Sequence, residues 1–221
     1  MAQCEPARRR AVRKMAIAAV KLRRTASKEA RRQQLVEATI KCISKRGIGS
    51  TTLGDVAKEA GLSQGIVNLH FKSKDNLFNE TLRYLAEEYK SLFEKTLEKA
   101  GPGAADKLLA LMELDLKPSV CDQRKLAVWF GFWGEVKAMP TYRKMCNEYD
   151  RGYEKALQKL CEQIISEGNY KNIDAKSVAE VLSSLTNGLW LSCLISPKSW
   201  DRHAALESVK GYLKSVFPTH Y

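Results

Sequence analysis

Apolar side chains recur at helical spacing from about residue 28 to the C-terminus, and Pro and Gly divide that pattern into segments. Period-two alternation never persists, so no strand is expected. Leu35, Val36, Ile40 and Ile43 share one face of a first helix over about 28–45. Ser27 is placed to cap that helix, with Arg31, Arg32 and Lys41 elsewhere on its surface, and Gly47 and Gly49 end it.

The next stretch carries the densest local signals. Thr52 and Asp55 have the spacing of a capping box, with Asp in place of the more usual Glu. Leu53, Val56, Ala57 and Ala60 then form one apolar face of a short helix. Gly61 stands where a left-handed residue ends such a helix, and Leu62 can plug the turn into the core. Ser63 can cap a second short helix, from Gln64 to about Phe71. Two short helices joined by a Gly-containing turn of about three residues make a helix-turn-helix.

Ser73-Lys74-Asp75 opens a long helix to about residue 99, broken by Gly101-Pro102-Gly103. Further helices are expected over about 104–116, 122–138, 141–167, 174–195 with Asp174 as cap, and 201–216. The expected fold is therefore all-α, with nine helices and no internal repeats. Residues 27–73 form a three-helix domain holding the helix-turn-helix, and 74–221 a larger helical domain. In the last two helices, Val178, Val181, Leu182, Leu185, Leu189, Leu206, Val209 and Leu213 supply more apolar surface than one fold face needs, which points to a homodimer. Residues 1–26 show no patterned fold and are expected to be a flexible basic arm, in which Arg8-Arg9-Arg10, Arg13-Lys14 and Arg23-Arg24 either lie along a minor groove or the phosphate backbone or belong to a mobile extension.

Charge sharpens this division. The chain has a net charge of +12 over 221 residues. Residues 1–26 hold eight Lys/Arg and one acid, 27–74 hold nine and four, and 75–221 hold twenty of each. A basic N-terminal third ahead of a neutral body is the footprint of a protein that grips a polyanion with one end. For residues 1–26 a solubilising tail is the alternative. The 44% hydrophobic content supports a packed core.

Other classes find little support. The six cysteines include no C-x-x-C pair and none near a His at zinc-ligand spacing, so no metal is expected and reduced thiols of a cytosolic protein are the reading, with a redox sensor as the alternative. The longest unbroken apolar stretch, 126–134, is far short of the ~20 residues of a membrane span. Met15–Val20 is too short for a secretory signal; an Arg-rich transit peptide is closer. Gly61-Leu62-Ser63-Gln64-Gly65 matches the G-x-S-x-G of a hydrolase nucleophile elbow. That elbow needs a strand before the Ser, whereas here a helix precedes it, so no enzyme and no cofactor are expected.

Thr51-Thr52-Leu53-Gly54-Asp55-Val56-Ala57-Lys58-Glu59-Ala60-Gly61-Leu62-Ser63, continuing to His70-Phe71-Lys72-Ser73-Lys74-Asp75-Asn76-Leu77, resembles the DNA-binding domain of TetR-family regulators. Trp129, Phe132-Trp133, Pro140 and Tyr142, with Asn187-Gly188-Leu189-Trp190-Leu191, are similar to the choline-responsive Bet repressors, which control the conversion of choline to glycine betaine. The resemblance implies a cytoplasmic, ligand-controlled repressor of choline/glycine betaine metabolism genes that binds an inverted-repeat DNA operator as a homodimer. A TetR-type repressor sensing another small hydrophobic or cationic molecule, or a non-specific DNA-binding protein, are the alternatives. Many family members carry a Tyr at the place of Asn68, where it meets a phosphate; Asn68 can donate to a phosphate or to an adenine edge.

On this reading Gln64 and Asn68 read bases, and Gly65 lets the backbone approach DNA closely. Lys74, Thr51 and Thr52 meet phosphates at helix N-termini. Ser63 caps the reading helix and is a candidate DNA contact, and His70 either contacts DNA or packs inside. In the second domain, Trp129, Phe132 and Trp133 fall on one helical face. They suit either a core stripe or an aromatic wall for a quaternary ammonium group. Tyr149, Trp190, Glu135 and Asp150 are candidates to complete such a box.

Overall fold

The computed structural model describes residues 28–221; the Ser27 cap and the basic segment 1–26 lie outside the described residues. Nine helices make up the described chain: α1 over 28–46, α2 Leu53–Glu59, α3 Gln64–Phe71, α4 Lys74–Lys99, α5 Ala104–Asp115, α6 Gln123–Glu135, α7 Pro140–Glu167, α8 Ala175–Ile195 and α9 Arg202–Val216.

Short-range chemistry sets the boundaries. Thr52 and Asp55 close a reciprocal capping box: the Thr52 hydroxyl accepts from the Asp55 N–H at 3.1 Å, and Asp55 Oδ2 accepts from the Thr52 N–H at 3.0 Å. At the other end of α2, the Leu62 N–H bonds Ala57 O at 2.8 Å and the Gly61 N–H bonds Lys58 O at 3.1 Å. This is a Schellman turn, and Gly61 sits at φ +66°, where any side chain would be strained. Ser73, Asp122, Asp174 and Asp201 cap α4, α6, α8 and α9 through their side chains. Helix α6 stops three residues short of the expected 138. Pro140 fills the first position of α7 and holds Met139 in an extended conformation, so residues 136–139 become the turn.

Two apolar cores result. The first joins α1, α2, α3 and the start of α4, built on Leu35, Ile43, Val56, Val67, Phe71 and Phe78. It also takes in Val128 and Phe132 of α6 and Tyr142, Met145 and Cys146 of α7. The second lies among α5, the distal part of α7, α8 and α9, with Leu111, Leu126, Leu157, Leu182 and Phe217 at its centre, and the distal half of α4 packs against it. Helices α4, α6 and α7 thus contribute to both cores. By length and composition alone α8 could span a bilayer, but it packs against α6, α7 and α9. The five described cysteines are free, and burial pushes the Cys121 and Cys161 thiols up to about 12.

Candidate DNA-reading face and effector cavity

Helix α3 buries Val67 and Phe71 and turns Gln64, Gly65, Asn68 and Leu69 to solvent. A hydrogen-bonded frame holds it in place. Arg32 of α1 donates to His70 O at 3.0 Å, pairs with Glu80 of α4 at 3.1 Å and lies 4.5 Å from the Phe71 ring centroid. Gln34 of α1 donates to Ala60 O at 2.7 Å, fixing the turn between α2 and α3. Helix α3 is thus clamped at both ends, and its exposed amides are held in a set geometry.

The expected contact residues divide on inspection. Gln64, Gly65 and Asn68 share the exposed face. A Cβ added at Gly65 would meet only Ser63 Oγ, at 3.8 Å, so nothing inside the chain requires glycine there. Ser63 occupies the N-cap position of α3, but its hydroxyl makes no capping bond and stays exposed. Thr51 departs from expectation: it is fully buried, with its hydroxyl bound to Gly47 O at 2.8 Å, so its side chain packs inside and does not face a phosphate. His70 is half-buried with Nδ1 unpartnered, and burial, reinforced by Arg32, lowers its pKa, which keeps the ring neutral. Lys74 reaches back to Gly49 O at 3.3 Å and lies 5.0 Å from the Phe78 ring centroid. Lys72 was not among the expected contacts; it ends α3, is exposed, and stands at φ 63°, a conformation non-glycine residues rarely hold.

A cavity of about 300 Å³ opens between α4, α6 and α7. Its rings are Tyr89 and Phe93 from α4, Trp129 from α6, and Tyr149 and Tyr153 from α7, with Lys90, Glu94 and Glu148 also in its lining. Trp129 meets Tyr149 edge to face at 6.4 Å, and Phe93 meets Tyr153 in the same way at 6.3 Å. Behind the rings lies Asp115 of α5, 1% exposed. Tyr89 donates to its Oδ1 at 2.6 Å and Tyr153 to its Oδ2 at 2.5 Å. Burial raises this carboxyl to about 7 against the opposing hydrogen bonds of Tyr153, Tyr89 and Thr186. Both phenols are held well above their ordinary range, burial being the main cause, and stay protonated as donors.

Only Trp129 and Tyr149 of the seven expected ligand residues line this cavity. Phe132 is fully buried in the first core, edge to face with Phe78 and Tyr142. Trp133 packs on Phe130 at 5.1 Å, with its indole N–H buried and without an acceptor. Trp190 supports the cavity wall from behind: its N–H bonds Asp115 O at 2.8 Å and its ring meets Tyr89 at 6.3 Å. Glu135 lies at the end of α6 near Tyr142, and Asp150 is exposed. The reason is axial. Residues three and four apart share a helix face but lie about 5–6 Å along it, so one face spans both the cavity and the next core. The missed rings are Tyr89, Phe93 and Tyr153: Tyr89 and Phe93 are four apart, as are Tyr153 and the expected Tyr149, a legible aromatic pairing. Nothing local pointed to Asp115.

Comparison with known proteins agrees with both regions. Residues 35–81 match the tetR family of bacterial regulatory proteins, and residues 104–218 match the C-terminal domain of BetI-type transcriptional repressors. The HTH-type transcriptional regulator BetI of Paraburkholderia xenovorans (strain LB400) is 29% identical over 192 residues, covering 86% of this chain and 94% of that protein. A transcriptional regulator from Pseudomonas aeruginosa PAO1 superposes with a TM-score of 0.78 at 26% identity, covering 87% of this chain and 93% of the other. A regulator from Saccharomonospora viridis in complex with choline shares the fold, with a TM-score of 0.75 at 23% identity, over 83% of this chain and 95% of its own. A helix rather than a strand precedes Ser63, and these relatives are regulators rather than enzymes. With its match over 104–218 spanning more than half its length, the chain belongs to the TetR family of DNA-binding transcriptional regulators, in its BetI-type branch.

Proposed function

We propose that this regulator is a homodimeric repressor of choline/glycine betaine metabolism genes, released from its operator by choline, betaine aldehyde or a similar quaternary ammonium compound. Residues 27–73 read DNA; 74–221 bind the effector and dimerise. The observation that carries the ligand class is the cavity itself: five aromatic rings around about 300 Å³, with a buried carboxyl bonded to two of them. A trimethylammonium group offers no strong N–H donor, so ring faces suit it better than oriented acceptors. Asp115 supplies negative charge through the tyrosines without contacting the ligand. The Saccharomonospora viridis relative, crystallised with choline, is consistent with this class.

The release mechanism follows from shared helices. Trp129 lines the cavity, while Phe132 on the same helix packs against Phe78 in the DNA-binding core. Tyr89 and Phe93 line it from α4, whose first turns hold Leu77 and Phe78 in that core. A ligand that favours one setting of α4 and α6 therefore biases the spacing of the two reading helices in a dimer. For that dimer, Val181, Leu191 and Ile195 of α8 stay exposed on one side of the helix, whereas Val178, Leu182, Val209 and Leu213 are consumed by the internal core. Sedimentation should show a dimer at micromolar concentration, and a monomer there would contradict this surface.

Titrating choline into the protein–operator complex tests the ligand. Wild type should release DNA at up to millimolar choline. Trp129→Leu should bind the operator normally and need about 2- to 30-fold more choline. No release of wild type by choline or betaine aldehyde would reject the ligand class.

A further inference from the structure

Four large apolar side chains are the most exposed among the described residues: Leu69 at 74%, Ile195 at 69%, Val181 at 45% and Leu191 at 41%. The last three lie together on α8. Leu69 stands apart, on the outward face of α3 beside Asn68 and one turn beyond Gly65. Val67 and Phe71, two residues to either side, fill the core, so the packing of α3 makes no demand for an apolar residue at 69. Helical side chains lean toward the N-terminus of their helix. The Leu69 side chain is thereby directed over the place where Gly65 has none, and where even an added Cβ would meet only Ser63 Oγ at 3.8 Å. The pair forms an exposed apolar row beside the row of Gln64 and Asn68, on the surface of a basic domain.

We infer that Leu69 is a specificity-determining residue that reads thymine through its C5 methyl group, received on the row of Leu69 and Gly65. The inference rests on α3 being the helix that enters the major groove, and it adds a base preference that the amides cannot supply. Gln64 and Asn68 select by hydrogen bonds, whereas a thymine methyl is recognised only by apolar contact. Each half-site should therefore contain a thymine whose methyl group, rather than its hydrogen-bonding edge, is required.

The test removes that methyl alone. The full chain is used to select duplexes from a random pool, and each thymine of the selected site is replaced in turn by deoxyuridine, which keeps base pairing intact. For wild type, one replacement per half-site should weaken binding roughly fourfold, the effect of one buried methyl-sized group. Leu69→Ala should melt like wild type, bind the thymine duplex more weakly by a similar factor, and be indifferent to deoxyuridine at that position. Wild type tolerating every deoxyuridine, or Leu69→Ala keeping the full penalty, would overturn the assignment while leaving base reading by Gln64 and Asn68 standing, provided Gln64→Ala or Asn68→Ala still relaxes discrimination. A wild type that selects no sequence at all would overturn it together with the groove-reading role of α3.

Discussion

The helix-turn-helix and the aromatic cavity are built from different ranges of the sequence. The helix-turn-helix is made by neighbours: a capping box four residues long, a glycine at φ +66°, and two short helices whose limits lie within 19 residues, 53–71. The cavity is made by strangers. Its rings come from residues 89 to 153 on three helices, and its carboxyl comes from a fourth. Local backbone chemistry sets the helix limits of the first region, and contacts from α1 and α4 hold it in place. The second exists only once α4, α6 and α7 have packed. The two are joined because α4 and α6 serve both, so changes on one helix should separate into folding defects and signalling defects according to which core a residue enters.

The sharpest way to break this comparison is on α6. Phe132 and Trp129 are three residues apart, but one is fully buried in the DNA-binding core and the other lines the cavity. Phe132→Ala should cost about 3–5 kcal/mol and show as a lower urea midpoint with loss of operator binding. Trp129→Leu should cost only about 1–2 kcal/mol, with its main effect on the choline response. Equal stability losses for the two would mean that α6 carries one continuous core stripe and that the cavity is incidental.

That pair also shows what sequence reading could reach. Helical spacing placed Trp129, Phe132 and Trp133 on one face correctly, and the helix-turn-helix was legible almost to the residue because caps and turns are encoded locally. Spacing carries no information about where along the axis one core ends and a cavity begins. Thr51 was misjudged for a related reason: its place beside a helix N-terminus suggested a phosphate, while Gly47 O, four residues back, captures its hydroxyl inside. Asp115 was invisible because a lone Asp between leucines near a helix end is ordinary. Its partners are 26, 38 and 71 residues away.

Asp115 offers the next test, through pH. Its carboxyl titrates near 7 in the folded chain, against 3.8 as an ordinary value. Between those values the unfolded chain has lost the proton and the folded chain keeps it. The contribution to stability therefore falls as pH rises from about 4 to about 7 and is flat above that. Ligand binding should run the other way. From about pH 6 to about pH 8 the carboxylate fraction rises several-fold, and the affinity for a cation should rise with it, by up to about tenfold. Asp115→Asn keeps an acceptor for one tyrosine and a donor for the other, and should flatten both profiles. Choline affinity measured by calorimetry at three pH values decides the matter: a profile that survives in Asp115→Asn places the titrating group elsewhere.

The smallest effect tests the other end. Lys72 holds φ 63°, ψ −35° at the end of α3, a setting that costs a non-glycine residue of order 1 kcal/mol. Its N–H still bonds Asn68 O at 2.9 Å, and its side chain is exposed beside the reading face. The expectation tested is that this exposed charge contacts a phosphate. Lys72→Gly should raise the melting temperature by about 2–4 °C. It should also weaken every duplex alike and reduce the slope of log affinity against log salt by about one. Lys72→Ala separates the two terms, since it removes the charge and keeps most of the strain. It should match Lys72→Gly in DNA affinity and wild type in stability. If Lys72→Ala instead binds DNA like wild type, the strain at Lys72 serves the end of α3 rather than the operator.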